Sequence, residues 1–354
     1  MNETSDEINY NIDNININYF KKLITPNELI NKIPNNENNK LFIIETRKII
    51  ENIIKGQDKR KLLIVGPCSI HNINEAKKYA EMLKKLSLKV KDKIFIVMRV
   101  YFEKPRTTVG WKGMINDPDL NNSFDIDKGL FNARELLRYI TNLKVPTAYE
   151  VLDTFTPQYI SDLISWAAVG ARTTESQVHR QLVSGLSMPV GFKNNTSGNT
   201  KIAIDAVKSA KNSHCFYGIT YDGSASVIST MGNNNCHIIL RGSDCGPNYF
   251  TENIEIVKKE IIENKLTNKN NIMIDCSHGN SYKDYKNQEI VWDYVLANYI
   301  NDDEVFGFML ESNINEGSQK LINPKELKYG ISITDSCISF SKTKELITKM
   351  YNKL

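Results

Sequence analysis

From Lys61 onward the chain sets short, continuously apolar runs between helix-length amphipathic segments, and no other feature narrows its fold as far. The runs are LLIVG (62–66), IFIVMRVY (94–101), PTAYEVL (146–152), AAVGA (167–171), MPVGF (188–192), CHIILRG (236–242), NIMIDCS (271–277) and VFGFMLES (305–312). Strands with one face in water alternate apolar and polar residues. Unbroken apolar runs mark strands buried on both faces, as in a parallel sheet with helical crossovers. NEAKKYAEMLKKL (74–86) and IDKGLFNARELLRYI (126–140) have the spacing of such crossovers. Eight βα units point to an α/β fold of the closed (β/α)8 TIM-barrel type rather than an open doubly wound sheet. No GxGxxG follows the first run, which argues against a dinucleotide-binding fold.

Two regions stand outside that rhythm. HCFYGITYDGSASVISTMG (214–232) reads as two β-rich stretches around Asp222-Gly223, a hairpin signal, and is taken as an insertion. Ahead of the barrel, a helix is predicted from near Thr25, with Pro26 in its first turn and Glu28 following. A second helix, LFIIETRKIIENIIK (41–55), precedes Gly56. The Asn-rich stretch to about Asn18 reads as an arm. Residues 1–60 are thus an N-terminal arm with helices, and 61–354 a barrel with a hairpin inserted at about 214–232.

Charge and composition remove several functions. A net charge of +4 is too small to imply nucleic acid as a partner. No apolar run is long enough to span a bilayer, and Met1–Tyr10 has no basic or apolar leader region, so no membrane role is expected. Six cysteines with no CxxC pair suit a cytoplasmic protein with reduced thiols.

Active sites of such barrels lie at the C-terminal ends of the strands. Cys68 follows the first run there. The second carries Arg99 and leads into Lys104 and Arg106, the third reaches Glu150, and the fourth ends at Arg172. Lys193 follows the fifth and Arg241 the sixth. The seventh passes Asp275 to His278, and the eighth reaches Glu311, with Asp335 beyond it. A single arginine is ordinarily a solvated or ion-paired surface residue. Six cations at equivalent strand ends instead suit polyanionic ligands, because guanidinium groups grip phosphate and carboxylate in pairs of hydrogen bonds. Cys68, His278, Glu311 and Asp335 offer a donor set of mixed softness for a divalent Zn, Fe, Mn or Co ion, which could act as a Lewis acid on a carbonyl. Lys193 has a rival reading as a Schiff-base nucleophile.

The blocks GPCSIH (66–71), MRVYFEKPRTTVGWKG (98–113), GARTTESQVHR (170–180), PVGFKN (189–194), IILRG (238–242), DCSHGN (275–280), ESNINEG (311–317) and SITDSC (332–337) strongly resemble the type I DAHP (3-deoxy-D-arabino-heptulosonate 7-phosphate) synthases of the aromatic amino-acid-regulated class. The resemblance runs from about residue 10 to about 350. It implies condensation of phosphoenolpyruvate with erythrose 4-phosphate, and one metal held by Cys68, His278, Glu311 and Asp335. The phosphoenolpyruvate site matches Arg99, Lys104, Arg172, Lys193 and Arg241. The erythrose 4-phosphate site matches Lys104, Pro105, Arg106 and Thr107. Lys104 or a metal-held group is expected to handle the proton of the new alcohol, and Glu150 to orient or activate the water, with His278 counted beside them as catalytic.

The resemblance further implies feedback by an aromatic amino acid, held by Asp13, Asp153, Pro157, Gln158, Leu186, Ser187, Phe216, Gly218 and Ile228, with a neighbouring subunit's arm completing the pocket. A homodimer or homotetramer follows from that. Gly218, where a serine is the alternative, leaves room for a ring hydroxyl and so favours tyrosine. Two departures are visible. Ser243 replaces the second glycine after Arg241, with a longer loop SDCGPNY behind it, and Asn14 stands where a second Asp is usual. Two rival functions remain: a Schiff-base aldolase using Lys193, which would leave the donor set unexplained, and a catalytically dead amino-acid sensor, which the intact ligand and arginine positions argue against.

Overall fold

The structure, a computed structural model, describes residues 12–266 and 271–354; the first eleven residues of the expected arm lie outside the described residues. Two helices come first. α1 (Pro26–Lys32) starts where Thr25 and Glu28 form a reciprocal capping box. α2 (Glu37–Ile54) begins earlier than the expected 41, because the Asn36 side chain caps it by accepting from Asn39 N–H.

The expected eightfold alternation then follows. β1 (Lys61–Gly66), β2 (Ile94–Arg99), β3 (Thr147–Val151), β4 (Trp166–Val169) and β5 (Val190–Lys193) alternate with α3 (Ile73–Val90), α4 (Ile126–Asn142), α5 (Thr156–Ile160) and α6 (Gln177–Ser184). After α7 (Thr200–Ala210) come the hairpin strands β6 (Cys215–Ile219) and β7 (Ala225–Ser229). The barrel resumes with β8 (Cys236–Leu240), α8 (Thr251–Glu263), β9 (Ile272–Asp275), α9 (Asn287–Asn298) and β10 (Val305–Asn313). A short β11 (Ile338–Ser339) and α10 (Phe340–Lys353) complete the order. All barrel pairings are parallel, and β1 pairs β10 as well as β2, so the ring closes. No helix among the described residues is long and apolar enough to cross a membrane.

The continuous apolar runs divide between two cores, because alternate side chains of a strand point to opposite faces. Leu63, Val65, Ile96 and Met98 pack outward against Tyr79, Leu83 and Leu137 of the crossover helices. Leu62, Ile64, Val97, Trp166, Met273 and Phe306 fill the barrel, joined there by Ile50, Ile53 and Ile54 of α2. The N-terminal helix therefore plugs the floor of the barrel and leaves the opposite mouth open for chemistry.

The inserted hairpin forms as the Asp222-Gly223 pair predicts. Gly223 takes φ +84°, and its N–H donates to Thr220 O at 3.0 Å. That left-handed position favours glycine. The hairpin tip meets α1, where Asn27 N–H donates to Tyr221 O at 2.7 Å.

One buried cation ties α1 to the barrel wall. Arg134 on α4 is fully buried, donates to Ile33 O and Tyr159 O, and grips Asp162 at 2.6 and 3.0 Å. Arg134→Met leaves two carbonyls and a carboxylate unmatched. It is expected to lower stability by about 3 kcal/mol, read as a lower urea midpoint. An unchanged midpoint would show the network to be dispensable.

Candidate active site

At the mouth, the strand ends converge on a cavity of about 380 Å³ lined by Lys104, Pro105, Thr107, Glu150, Arg172, Lys193, Arg241, His278, Glu311 and Asp335, among others. A second cavity of about 220 Å³ shares Lys104, Pro105, Thr107, Arg172 and Asp335 with it and adds Arg106, Thr108 and Val109. Of the residues expected to bind two phosphorylated substrates, all but Arg99 line these two adjoining spaces. Arg106 and Arg172 are exposed at the rim, where Arg172 Nε donates to Thr107 Oγ1 at 3.3 Å.

Arg99 lies below the floor of this space and is fully buried. It donates to Glu311 Oε1 at 2.8 Å and to Met309 Sδ at 3.0 Å, and its guanidinium stands 4.1 Å from the centre of the Tyr101 ring. Its nearest role is to hold Glu311 in place. Glu150 reaches over the chain at Gly170, where a Cβ would lie 2.3 Å from Glu150 Oε1. Only a residue without a side chain leaves that carboxylate its place.

Cys68, Glu311 and Asp335 each present a donor atom, and all three atoms lie within 4.8 Å of one another. Cys68 Sγ is 3.4 Å from Asp335 Oδ2. The Lys104 ammonium stands among them, 3.0 Å from Cys68 Sγ and 3.6 Å from Asp335 Oδ2. Its charge holds the Asp335 carboxyl well below the usual range. Burial, and then the Glu311 charge, push the Cys68 thiol well above its usual range. A divalent cation reverses that balance, since a coordinating thiol gives up its proton. A buried thiol and a buried carboxylate, with the exposed Asp335 carboxylate beside them and a cation already drawn to the thiol, fit a divalent transition-metal ion.

His278 falls outside that close group of three but adjoins it, with Nε2 3.5 Å from Glu311 Oε1. Its Nδ1 faces Asp275 Oδ2 at 2.8 Å and Ser277 Oγ at 2.7 Å. A ligating histidine commonly has its other nitrogen tied to a carboxylate in this way. Asp275 was passed over in the sequence as a member of a strand. It is fully buried, and its Oδ2 also lies 3.1 Å from Lys193 Nζ. Burial alone would raise its carboxyl, but His278, Lys193 and Arg99 together hold it well below the usual range. The signal available in sequence was the imbalance itself, since so many converging cations need a buried anion.

Glu103, beside Lys104, was also not singled out. It is buried and accepts from the Tyr149 hydroxyl and from Thr156 Oγ1 at 3.3 Å. Burial pushes its carboxyl up to about 7 despite the Tyr149 bond, which acts the other way. Glu103 therefore takes up a proton on folding. Its contribution to stability is whole below the ordinary carboxylate range and is lost as pH rises through about 7. Metal-free protein is expected to lose on the order of 3 kcal/mol from this group between pH 4.5 and pH 8. Glu103→Gln should flatten that part of the profile in urea titrations at the two pH values. An unchanged slope would sink the assignment.

The residues expected to bind an effector fall into separate groups. Pro157 and Leu186 line a cavity of about 10 Å³ together with Tyr149. Phe216, Gly218 and Ile228 are half-buried neighbours on one side of the hairpin, and a Cβ on Gly218 would lie 2.7 Å from Ile228 Cδ1. Asp153 is exposed and accepts from Phe155 N–H at 2.7 Å, and Gln158 is half-buried on α5. Ser187 is exposed. Asp13 is exposed on the arm, where its carboxylate accepts from Asn14. Ser243, the departure after Arg241, uses its hydroxyl to close its own turn, donating to Gly246 O at 2.9 Å.

A closed (β/α)8 barrel whose mouth gathers these cations around a thiol and carboxylates is the frame of an enzyme for small phosphorylated anions. The sequence is more particular. The chain belongs to the DAHP synthetase I family, whose profile matches residues 33–348. It is 48% identical over 346 residues to the Phe-sensitive phospho-2-dehydro-3-deoxyheptonate aldolase of Escherichia coli K12, covering 98% of each chain. It is 46% identical over 345 residues to the Tyr-sensitive aldolase of the same organism, covering 97% of this chain and 96% of that one. The solved phospho-2-dehydro-3-deoxyheptonate aldolase from Francisella tularensis SCHU S4 superposes with a TM-score of 0.93 at 46% identity, covering 95% of this chain and 98% of the other.

Proposed function

We propose that this chain condenses phosphoenolpyruvate with erythrose 4-phosphate and water to give DAHP and phosphate, the first step toward chorismate and the aromatic amino acids. The observation that carries the reading is the meeting, in one pair of adjoining cavities, of Lys104, Arg106, Thr107, Arg172, Lys193 and Arg241 beside the Cys68–Glu311–Asp335 group. In our reading Lys104, Arg172, Lys193 and Arg241, with Arg99 beneath them, hold phosphoenolpyruvate. Lys104, Pro105, Arg106 and Thr107 hold the sugar phosphate.

The residues that would hold the ion are Cys68, His278, Glu311 and Asp335, and a divalent ion bound there supplies Lewis acidity toward the aldehyde oxygen. The methylene carbon of phosphoenolpyruvate attacks the aldehyde carbon, water adds at the enol carbon, and the phosphate hemiketal expels phosphate. Lys104 delivers the proton to the new alkoxide, and Glu150 orients the water. Fixing two anions at reacting distance supplies much of the rate, through proximity and charge neutralisation.

Feedback by an aromatic amino acid fits the Phe- and Tyr-sensitive relatives, whose similar identities to this chain leave the choice to Gly218, and that glycine favours tyrosine. A homodimer or homotetramer is supported by apolar groups left exposed on the arm, at Ile15, Tyr19 and Phe20, and on the hairpin, at Tyr217, Val227 and Met231. None of the six cysteines forms a disulfide, which suits the cytoplasm.

The test is phosphoenolpyruvate consumption by chelator-stripped protein given Mn²⁺. Consumption that needs both the metal and erythrose 4-phosphate, and that tyrosine suppresses more than phenylalanine does, is the expected result. Consumption without metal would remove the ion's role. Equal suppression by both amino acids would remove the tyrosine preference.

A further inference from the structure

Strand β8 ends at Leu240, and Arg241 lies one residue past it, beyond the regular strand ladder. Side-chain amides take over. Arg241 N–H donates to Asn194 Oδ1 at 2.9 Å, and Gly242 N–H donates to Asn248 Oδ1 at 2.7 Å. Asn248 Nδ2 donates back to Asn194 Oδ1 at 3.2 Å, and Asn248 N–H donates to Asn280 Oδ1 at 2.8 Å. Asn280 in turn donates to Leu240 O at 3.1 Å and Asp275 O at 2.8 Å. Asn194 closes the circuit by donating to Gly242 O at 2.9 Å. All three asparagines are buried.

Each asparagine follows a strand end that carries a site residue. Asn194 is next to Lys193, Asn248 lies in the loop after Arg241, and Asn280 is two residues beyond His278. Asn248 alone touches both of the others. The backbone at Gly242 comes so close to Asn280 that a Cβ there would lie 2.3 Å from Asn280 N, and Gly242 holds φ +74°. The bridge therefore needs Gly242 but not a second glycine, which is why Ser243 can be accommodated.

We propose that Asn248 is a positioning residue for phosphoenolpyruvate capture: by tying the ends of β5, β8 and β9 together it sets Arg241 against Lys193. The inference rests on the reading that Arg241 binds this substrate. Losing the bridge frees Arg241 to move, while the erythrose 4-phosphate loop after β2 is untouched.

In the metal-loaded enzyme, Asn248→Ala should raise KM for phosphoenolpyruvate by about tenfold or more, as loss of a supporting hydrogen-bond shell typically does. KM for erythrose 4-phosphate should stay within about twofold and kcat within about threefold, since uniform binding of one substrate is what is lost. Asn248→Asp keeps the size and the acceptor for Gly242 N–H but loses the donor to Asn194. It should show the same split, and it carries the test if the alanine variant does not fold. The double variant Arg241→Ala/Asn248→Ala should bind phosphoenolpyruvate no more weakly than Arg241→Ala alone, because Asn248 acts through Arg241.

An unchanged KM for phosphoenolpyruvate in both Asn248 variants overturns the proposal. So does a parallel rise in both KM values with a fallen melting temperature, or additive losses in the double variant. If Arg241→Ala itself leaves that KM unchanged, the substrate assignment of Arg241 is what fails, and the proposal falls with it.

Discussion

Cys68→Ser is expected to lower activity at micromolar Mn²⁺ by at least about a hundredfold, with part of it returning at millimolar metal, because a hydroxyl replaces the one soft donor of the group. Cys68 sits at the turn after β1, fully buried and 3.4 Å from Asp335. The substitution removes little volume, so the barrel should melt at nearly the wild-type temperature. Activity is not the sole readout. Equilibrium dialysis should show metal retention falling in parallel, and the Co²⁺ form should lack the thiolate charge-transfer absorption expected of wild type. Full metal content in the serine variant would remove Cys68 from the donor set and leave Glu311, Asp335 and His278 to account for binding.

Asp275→Asn should be comparably damaging for a different reason. The carboxylate is fully buried and compensates Lys193 at 3.1 Å and His278 at 2.8 Å, with Arg99 close enough to feel its charge. Asparagine keeps the shape and removes the charge. Removing one partner of a buried ion pair destabilises by on the order of 3–5 kcal/mol, so the melting temperature should fall, and kcat/KM should fall by about two orders of magnitude as Lys193 and His278 lose their placement. Because the Asp275 carboxyl is held well below the usual range, the wild-type pH profile should show no limb from it above pH 4.5. A variant within about threefold of wild type would mean that Lys193 and His278 are held by other means.

The eight strands were legible because a strand buried on both faces cannot hide its composition, and each apolar run became one strand of the ring. Their limits were less so. The expected second strand ran to Tyr101, yet β2 ends at Arg99, and the chain beyond Val100 turns to build the mouth. The start of α2 was missed because Asn36 caps it ahead of its first apolar residue. Within the site, residues at strand ends were readable by position and charge. Asp275 and Glu103 were not, since each sits in an apolar or motif-rich stretch and takes its meaning from partners such as Lys193 and Tyr149. The asparagine bridge was illegible for a plainer reason: in an Asn-rich chain, three more asparagines carry no signal until the fold brings them together.

The pairing of β1 with β10 has a consequence for how the molecule comes into being. Lys61 Nζ bonds to Val305 O across 244 residues of sequence, and Cys68 meets Asp335 across 267. Contacts so distant along the chain are slow to form, because the entropy of closing the loop precedes any gain from the contact. A nascent chain on the ribosome holds β1 with one edge bare until the last strands have emerged. Cys68 lies on one side of that final seam and Glu311 on the other. The proposed metal site therefore spans the seam that closes the ring, and a chain that stalls short of closure holds Cys68 without Glu311 or Asp335.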